Sequence, residues 1–228
     1  MLQSLHQRLG ENLRASDGEI GHVRDFYFDD KNWHVRYLVA DTGHWLPGRL
    51  VLISPEAFGH LYPDGKVLLV NLTRQQIDDS PSIDQHKPMS RQQEVEYHQH
   101  YGYDYYAEAM SSWGLAGYPV IVPPPPQTTQ RQTAGDAHLR SAKELTGYGV
   151  EANDGTVGEI SDLWVDGRTW VIRQVVVECG HWYAGNKVIV PAEKISRINY
   201  ALRTVHVDST REAFATASHH HHHQAHAA

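Results

Sequence analysis

The chain has 228 residues, with 20 lysine and arginine residues against 27 aspartate and glutamate residues and a formal net charge of −7 at pH 7. This charge argues against a protein that binds nucleic acid nonspecifically through its phosphates. The single cysteine, Cys179, rules out a disulfide within the chain and is typical of a reducing compartment. The sequence shows no export signal and no apolar run of the roughly 18–20 residues that a membrane helix needs. We therefore expect a cytoplasmic protein that is at most peripheral to a membrane.

A long segment near the N-terminus recurs later in the chain. Residues 15–56 correspond to residues 152–193 without a gap, so that residue n of the first copy matches residue n + 137 of the second. The repeat predicts two small domains at residues 1–80 and 139–216, a connector at 81–138 and a disordered His-rich tail at 217–228. Because units of this size bury only a thin core, we expect the two copies to pack against each other. The residues that recur unchanged include Asp25/Asp162, Trp33/Trp170, Arg36/Arg173, Gly43-His44-Trp45/Gly180-His181-Trp182 and Glu56/Glu193.

The pattern Asp-Gly-x-x-Gly opens each copy. Glycine accepts a positive φ and aspartate tolerates one, so each Asp-Gly pair predicts a tight hairpin turn. The pattern lacks the Lys-Ser/Thr pair and the strand–helix context of a phosphate-binding loop, so we assign its residues to structural turns. These residues are Asp17, Gly18, Gly21, Asp154, Gly155 and Gly158.

Short β-rich segments follow each opening turn, a pattern typical of an all-β sandwich or barrel. The segment at 35–40 is apolar almost without alternation, which predicts burial on both faces, and we expect the second copy to cover its outer face. Each copy ends in a predicted helical turn with a capping box, opened by Thr73 and by Ser209. The strands predicted for the first copy, with equivalents 137 residues later, are 22–28, 35–40, 50–53 and 66–71.

The connector differs from both copies. Residues 90–101 begin with a capping box and predict a short helix, and residues 123–135 begin with consecutive prolines and predict an extended tether. Residues 97–122 are too rich in tyrosine and tryptophan for a free linker. We expect part of this segment to lie on one of the two domains and to cover an apolar strip.

These features together resemble the PRC-barrel family. The resemblance rests on D-G-x-x-G, a following D-x-x-x-D and a valine-rich strand that ends in an acidic residue, and it covers roughly residues 9–77 and 146–214. The family includes the cytoplasmic domain of the photosynthetic reaction-centre H subunit and the C-terminal domain of a bacterial ribosome maturation factor. The resemblance implies a mainly β fold of two tandem small antiparallel β-barrels, joined by a partly helical, aromatic and proline-rich connector. The membrane helix of the first protein and the partner domain of the second are not seen, so we expect the chain to be neither.

The two Gly-His-Trp loops are the strongest candidates for a binding surface, because the same residues recur at one place in each copy. An imidazole and an indole at a loop tip could be presented to a partner, or they could pack over the end of the barrel. Arg36 and Arg173 lie on the preceding strands and could join this surface, or pair across strands with Asp25 and Asp162. The candidate binding residues are His44, Trp45, His181, Trp182, Arg36 and Arg173.

We expect neither catalysis nor a cofactor. The two copies share no arrangement of a nucleophile with a base, so no catalytic residue is assigned. His98 and His100 are two positions apart, which places them about 200° apart on a helix, where they cannot hold one metal ion together. No metal site is expected in the two domains. The tail would bind Ni²⁺ or Zn²⁺ in any protein, whether as a tag or as a native segment, through His219, His220, His221, His222 and His223.

Three functions are compatible with these observations. The first is a non-enzymatic interaction or scaffolding protein whose two barrels offer a composite surface to a protein partner, as the resemblance implies. The second is an accessory role in ribosome assembly or RNA processing, with a ribosomal protein bound rather than RNA itself. The third is binding of a small molecule or metal in the groove between the barrels. A deep pocket there would favour the third function, and a flat apolar strip would favour the first. Homo-oligomers are compatible with all three.

Overall fold

The computed structural model of the chain describes residues 1–43, 50–58, 67–79, 139–180 and 186–216. These residues form two β-sheets with a few short helical segments, which confirms the prediction of a mainly β fold. The predicted connector helix, the proline-rich tether and the His-rich tail lie outside the described residues.

Six strands, two short α-helices and a 3-10 turn at Pro55–Ala57 are described in the first copy. A twelve-residue strand, β3, bends at two bulges, so its buried residues Ile20, Val23 and Phe26 are three positions apart rather than two. This bend lets one long strand pair with several neighbours. The elements in chain order are β1 (Leu2–Ser4), α1 (Leu5–Arg8), β2 (Asn12–Ala15), β3 (Gly18–Asp29), β4 (His34–Asp41), β5 (Leu50–Ile53), β6 (Val67–Leu69) and α2 (Arg74–Asp78).

The second copy repeats these elements at the offset of 137 residues, and adds a strand, β12. Residues 211–216 are helical and correspond to α2. A short 3-10 turn at Ala192–Lys194 follows β11. The elements in chain order are β7 (Leu139–Ser141), α3 (Ala142–Leu145), β8 (Gly149–Ala152), β9 (Gly155–Asp166), β10 (Ile172–Cys179), β11 (Lys187–Pro191), β12 (Ile195–Asn199) and β13 (Thr204–Val207).

Each sheet contains one parallel pair of strands. The first sheet has the order β5-β4-β3-β2-β6 with β7 added along β3, and the second has the order β11-β10-β9-β8-β13-β12 with β1 added along β9. The pairs β2–β6 and β8–β13 are parallel, so the prediction of purely antiparallel barrels is wrong at these strands. Parallel neighbours need a crossover connection, which strands β3–β5 supply in the first copy and strands β9–β12 supply in the second. The closure of each copy into a barrel stays a prediction.

Each copy contributes its first strand to the sheet of the other copy. Strand β1 pairs antiparallel with β9, with Gln3 opposite Val165, and β7 pairs antiparallel with β3, with Arg140 opposite Phe28. Arg140 and Val165 are the residues 137 positions after Gln3 and Phe28, so the two pairings follow the same two-fold relation. Loss of either short strand would leave an unpaired edge in the sheet of the other copy.

The two copies also meet at a reciprocal pair of backbone hydrogen bonds. The Val35 amide donates to the Trp170 carbonyl at 2.8 Å, and the Ile172 amide donates to the Trp33 carbonyl at 2.7 Å. Both tryptophans have a left-handed backbone, with φ of 59° at Trp33 and 57° at Trp170. This conformation costs roughly 1–2 kcal/mol per residue outside glycine. The hydrogen bonds and the burial of both indoles offset that cost, which explains why the two tryptophans recur.

One hydrophobic core runs through both copies, as expected for units this small. The Trp170 ring of the second copy packs between Phe26 and Phe58 of the first, with ring centroids 6.2 and 5.2 Å away. Phe28 stacks on Trp33 at 5.4 Å within the first copy. The expected packing of the two copies against each other is therefore confirmed.

Two recurring glycines lie where neighbouring strands come closest. A Cβ atom built on Gly21 would lie 1.9 Å from the carbonyl oxygen of Asp41, and one on Gly158 would lie 2.0 Å from that of Glu178. No side chain fits at either position unless the strands separate. The second glycine of D-G-x-x-G is therefore required by strand packing. The first glycine of the motif in the second copy, Gly155, has a φ of 137°, a conformation that residues other than glycine rarely adopt.

The aspartate of the same motif lies in the predicted turn and has a further role. The turn between β2 and β3 lies one residue earlier than expected, since Gly18 already pairs within β3. The Asp17 carboxylate accepts a hydrogen bond from the Arg74 amide at 2.8 Å, and Asp154 accepts one from the Arg211 amide at 2.8 Å. Each aspartate thus satisfies a backbone donor at the start of the helix that ends its own copy.

The helix caps agree with the prediction in the first copy and differ in the second. Thr73 accepts a hydrogen bond from the Gln76 amide at 3.2 Å, and the Gln76 side chain accepts one from the Thr73 amide at 2.9 Å, which is a capping box. In the second copy the hydroxyl of Thr210 accepts from the Ala213 amide at 3.3 Å. The prediction of Ser209 as the cap is wrong because Thr210, not Ser209, corresponds to Thr73.

Candidate docking groove

An open apolar groove lies on the second copy, between β11, the end of β13 and the helical residues 211–216. Its cavity volume is about 150 Å³. The apolar part of its lining consists of Val188, Ile189, Val190, Pro191, Val207, Ala213 and Phe214. We refer to this feature as the docking groove.

The local structure explains why the docking groove is apolar. Val188 and Val190 are two positions apart on β11, so they lie on the same face of the strand, and both are buried. Pro191 ends that strand and leads into the 3-10 turn. Phe214, which is 3% exposed, packs into the core from the helical residues 211–216. Strand β11, including its last residue Pro191, and the helical residues 211–216 therefore present apolar side chains to the same space.

The residues of the docking groove differ in size from their equivalents in the first copy. Leu72 and Ile53, which are buried in the first copy, stand at the positions of Ser209 and Val190. The change is not a uniform loss of volume, since the second copy has larger side chains at Pro191 for Ser54, Lys194 for Ala57 and Phe214 for Ile77. The sequence carried this signal, because aligning the copies at the offset of 137 residues reveals the exchanges. The positions with smaller side chains in the second copy are Ser209 for Leu72, Ala213 for Gln76 and Val190 for Ile53.

Charged side chains surround the mouth of the docking groove. Lys194 and Asp208 are exposed and line it, and the Asp208 amide donates to the Lys194 carbonyl at 3.0 Å, which joins the two sides of the mouth. Glu193 and Glu212 are exposed and adjoin lining residues in sequence. Lys187, which adjoins Val188, is exposed as well, so three carboxylates stand against two lysines at the lining or next to it in sequence.

A second, smaller pocket lies between the two copies. It is lined by Leu5 and Phe26 of the first copy and by Ala142 and Leu163, which are their equivalents in the second. Its volume is about 10 Å³, which is room for roughly one water molecule. None of the predicted binding residues lines this pocket. A small-molecule site between the barrels is therefore not supported at this position.

Two recurring carboxylates hold the helix that begins the opposite copy. Asp162 accepts a hydrogen bond from the His6 amide at 3.1 Å, and Asp25 accepts one from the Lys143 amide at 3.0 Å. The Ser141 hydroxyl also donates to Asp25 at 2.5 Å. These contacts satisfy amides in the first turns of α1 and α3, and they join the two copies.

The environment of Asp25 alters its acidity. Burial raises the pKa of the Asp25 carboxyl, and hydrogen bonds from Ser141, Lys143 and Phe26 oppose that rise. Because desolvation has the larger effect, the carboxylate is less stable in the folded protein than in water. Asp25 is thus a buried acid used for structure, and its donors come mainly from the other copy.

The predicted arginines are not among the described donors to these carboxylates. Arg36 and Arg173 are each the extra residue at a bulge, in β4 and β10 respectively. The hydrogen bonds to Asp25 and Asp162 come from other groups, so the alternative that the arginines pair with them is not supported. The remaining predicted binding residues, which lie outside the described residues, are His44, Trp45, His181 and Trp182. A surface formed by the Gly-His-Trp loops stays a prediction.

A polar cluster that the sequence did not predict joins the copies near β7. The Tyr200 hydroxyl donates to Asp30 at 2.6 Å, and the Arg140 guanidinium donates to the same carboxylate oxygen at 3.2 Å. The guanidinium carbon lies 3.7 Å from the centre of the Tyr200 ring, a cation–π contact. Burial and the nearby Asp30 charge raise the pKa of Tyr200 far above its ordinary value. Tyr200 therefore stays protonated and acts as a hydrogen-bond donor.

Two further findings concern metals and membranes. Among the described residues, no group of three or more histidine, cysteine, aspartate or glutamate side chains is placed to hold a metal ion. Within the same residues, no helix has the length and apolar character needed to cross a membrane.

The fold and the docking groove define a small β-domain protein with sheets that exchange strands. Comparison with known families identifies the domain more closely: residues 138–214 match the PRC-barrel domain, so the second copy is a PRC-barrel domain. The matched residues run from just before β7 to Phe214, and they include every residue that lines the docking groove. A search of the curated proteins found no match to the chain.

Proposed function

We propose that this chain is a non-enzymatic protein-interaction module in which the docking groove of the PRC-barrel domain receives an apolar side chain of a partner protein. The observation that carries the proposal is the groove itself, an apolar cavity with a charged mouth on the surface of a domain type that suggests protein interaction. The first copy then serves as a second PRC-barrel-like unit that stabilises the first strand and the core of the PRC-barrel domain.

The size of the docking groove favours a protein segment over a small molecule. Sites for drug-sized ligands usually have volumes of about 300–1,000 Å³ and bury most of the ligand. The docking groove has about 150 Å³ and is open to solvent. A cavity of that size accommodates a single large aliphatic or aromatic side chain, as in interfaces where a few buried anchors supply most of the binding energy.

The charges near the mouth indicate the chemistry of the partner. The exposed charges at the lining or next to it in sequence are Asp208, Glu193 and Glu212 against Lys194 and Lys187, and the whole chain has a net charge of −7. Complementary charges speed association and select partners. The proposed partner segment therefore carries an apolar anchor flanked by lysine or arginine.

Narrower functions remain proposals within this class. An accessory role in ribosome assembly fits a basic partner, since ribosomal proteins are basic, and it would act through protein contacts. An adaptor role like that of reaction-centre H subunits is the other narrower form. A cytoplasmic location stays a prediction for both.

A peptide selection on the full-length chain tests the proposal. A random peptide library displayed on phage is panned against the immobilised protein, and the same library is panned against the double variant Ser209→Leu/Ala213→Gln. That variant carries the residues of the first copy and fills the groove. Arg168→Lys is the matched control, because it also introduces a first-copy residue, Lys31, at an exposed position away from the groove.

The expected result is enrichment of peptides with one large apolar residue flanked by basic residues, on the native chain and the control but not on the filled variant. The melting temperature of each variant is measured first to show that it folds. Equal enrichment on the filled variant would contradict the assignment to the groove, and no enrichment on any form would contradict the interaction function.

A further inference from the structure

The first sheet has an apolar outer face that does not belong to the shared core. Leu38 and Ala40 of β4 point into the core that the two copies share. Their neighbours Tyr37 and Val39 lie on the opposite side of the strand and form a separate cluster with Leu52 of β5. We call the surface formed by Tyr37, Val39 and Leu52 the outer face. Its separation from the core explains the nearly continuous apolar sequence of β4.

The outer face is almost completely shielded from solvent. Tyr37 is 0% exposed, Val39 is 2% exposed and Leu52 is 1% exposed. The described apolar residues packed against them are Tyr27 and Leu139, together with Leu50, and all of these lie in strands of the same sheet. Strands within one sheet lie side by side and cannot cover its face, so a second layer must do so. Among the described residues of the second copy, Leu139 is the apolar residue that packs against this cluster, so the expectation that the second copy covers the outer face is met by this residue alone.

The corresponding face of the second sheet differs. Gln174 and Ile189 occupy the positions of Tyr37 and Leu52, and both are partly exposed. Val176, at the position of Val39, is buried with 5% exposure. Lys187, which is exposed, stands where the first copy has Leu50. The face of the second sheet is therefore more polar and less completely covered than the outer face of the first sheet. The first sheet thus needs a more extensive cover than the second.

The connector meets that requirement. It occurs once, and it enters the described structure at Leu139, which packs against the outer face itself. Its middle part, residues 97–122, contains six tyrosines and a tryptophan, which are large apolar side chains with a polar end. The His-rich tail lacks such residues, and the loop at 44–49 spans only six residues between β4 and β5.

We propose that residues 97–122 lie on the outer face of the first sheet and cover Tyr37, Val39 and Leu52. The connector then forms a third layer of the first copy as well as a link between the copies. Its binding there keeps a large apolar surface from associating with other molecules. The outer face of the first copy is then covered by the connector of the same chain, whereas the docking groove of the second copy is free to bind a partner protein.

Photo-crosslinking of the full-length chain tests this assignment. Leucines are replaced throughout by photo-leucine, which differs little in shape, and the cross-linked peptides are identified by mass spectrometry after irradiation. Leu52 and Leu139 are expected to cross-link to residues 97–122. Leu145 and Leu163 of the shared core are the internal controls, and they are expected to cross-link to core residues alone. Cross-links from Leu52 to the 44–49 loop or to another chain, without any to 97–122, would overturn the proposal.

Hydroxyl-radical footprinting supplies a second measurement that does not depend on leucine chemistry. The aromatic residues of 97–122 are changed to serine, and the oxidation of Tyr37 is compared with that of Phe28, which is also 0% exposed but lies in the shared core. We expect oxidation of Tyr37 to rise at least fivefold while Phe28 stays protected. An unchanged Tyr37 would overturn the proposal, and so would a Tyr37 already oxidised in the native chain. If Phe28 is oxidised as well, the variant has unfolded and the cross-links decide.

Discussion

The Tyr200 hydroxyl provides a quantitative test of how the two copies are held together. It donates a hydrogen bond of 2.6 Å to Asp30, across 170 positions of sequence. The Arg140 guanidinium donates to the same carboxylate and covers the Tyr200 ring. The substitution Tyr200→Phe removes the hydroxyl and keeps the ring, so the change in stability reports the hydrogen bond.

The expected loss follows from the charge and burial of the contact. A hydrogen bond to a charged group contributes about 1.5–3 kcal/mol to the free energy of unfolding. Asp30 keeps Arg140 as a partner in the variant, so its carboxylate is not left unpaired, and we expect a loss of about 2 kcal/mol. For a protein of this size, that corresponds to a decrease in melting temperature of roughly 4–8 °C.

Urea unfolding followed by circular dichroism measures the difference in free energy between the variant and the native chain. Tyr148→Phe is the matched control, because its ring lies 6.3 Å from that of Tyr200 and no hydrogen bond of its hydroxyl is found among the described residues. We expect the control to change stability by less than about 0.5 kcal/mol. Equal losses in both variants, or no loss for Tyr200→Phe, would refute the reasoning.

Three further predictions concern backbone contacts. Gly158→Ala should lower the free energy of unfolding by more than about 3 kcal/mol in a urea titration, because the added Cβ would overlap a strand carbonyl. Gly149→Ala is the control, since the nearest atom to its added Cβ lies at 3.8 Å, and it should cost under about 1 kcal/mol. Because the pKa of the Asp25 carboxyl is raised in the folded protein, the folded state keeps this proton at a pH where the unfolded chain has lost it. The contribution of Asp25 to the free energy of unfolding therefore falls as the pH rises from the unfolded pKa of 3.8 through the folded pKa. The variant Asp25→Asn should lack this decrease in the free energy of unfolding between pH 3.5 and 7. A variant with the same pH profile as the native chain would contradict the raised pKa of Asp25. Thr210→Ala should lower the melting temperature by removing a helix cap of about 1 kcal/mol, and an effect as small as that of Ser209→Ala would contradict the cap assignment.

Most of the fold could be predicted from the repeat in the sequence. Strands β3, β4 and β5 and their equivalents were predicted because long apolar segments between turn residues have a strong pattern. The strands β1 and β7 were missed because three residues such as Leu-Gln-Ser are too few to show alternation. The parallel pairing of β6 was missed because local sequence does not encode which strand becomes a neighbour.

The contacts between the copies depend on residues that are distant in sequence. Arg140 meets Asp30 from 110 positions away, and neither residue has a like counterpart in the other copy, where Gln3 and Gly167 stand instead. A repeat reveals what two copies share, and it gives no signal for contacts that one copy makes alone. The docking groove could be predicted only in part. The exchange of Leu72 for Ser209 is visible when the copies are aligned, but the sequence alone does not show that these residues lie beside a groove.

The most direct test of the proposed function is the affinity of one selected peptide for two forms of the chain. The peptide is labelled with a fluorophore, and its Kd is measured by anisotropy for the native chain and for Ser209→Leu/Ala213→Gln. We predict at least a tenfold weaker Kd for the filled variant, equivalent to about 1.4 kcal/mol, with Arg168→Lys unchanged. Equal affinities for the native chain and a folded, filled variant would contradict the claim that the groove of the PRC-barrel domain is the docking site.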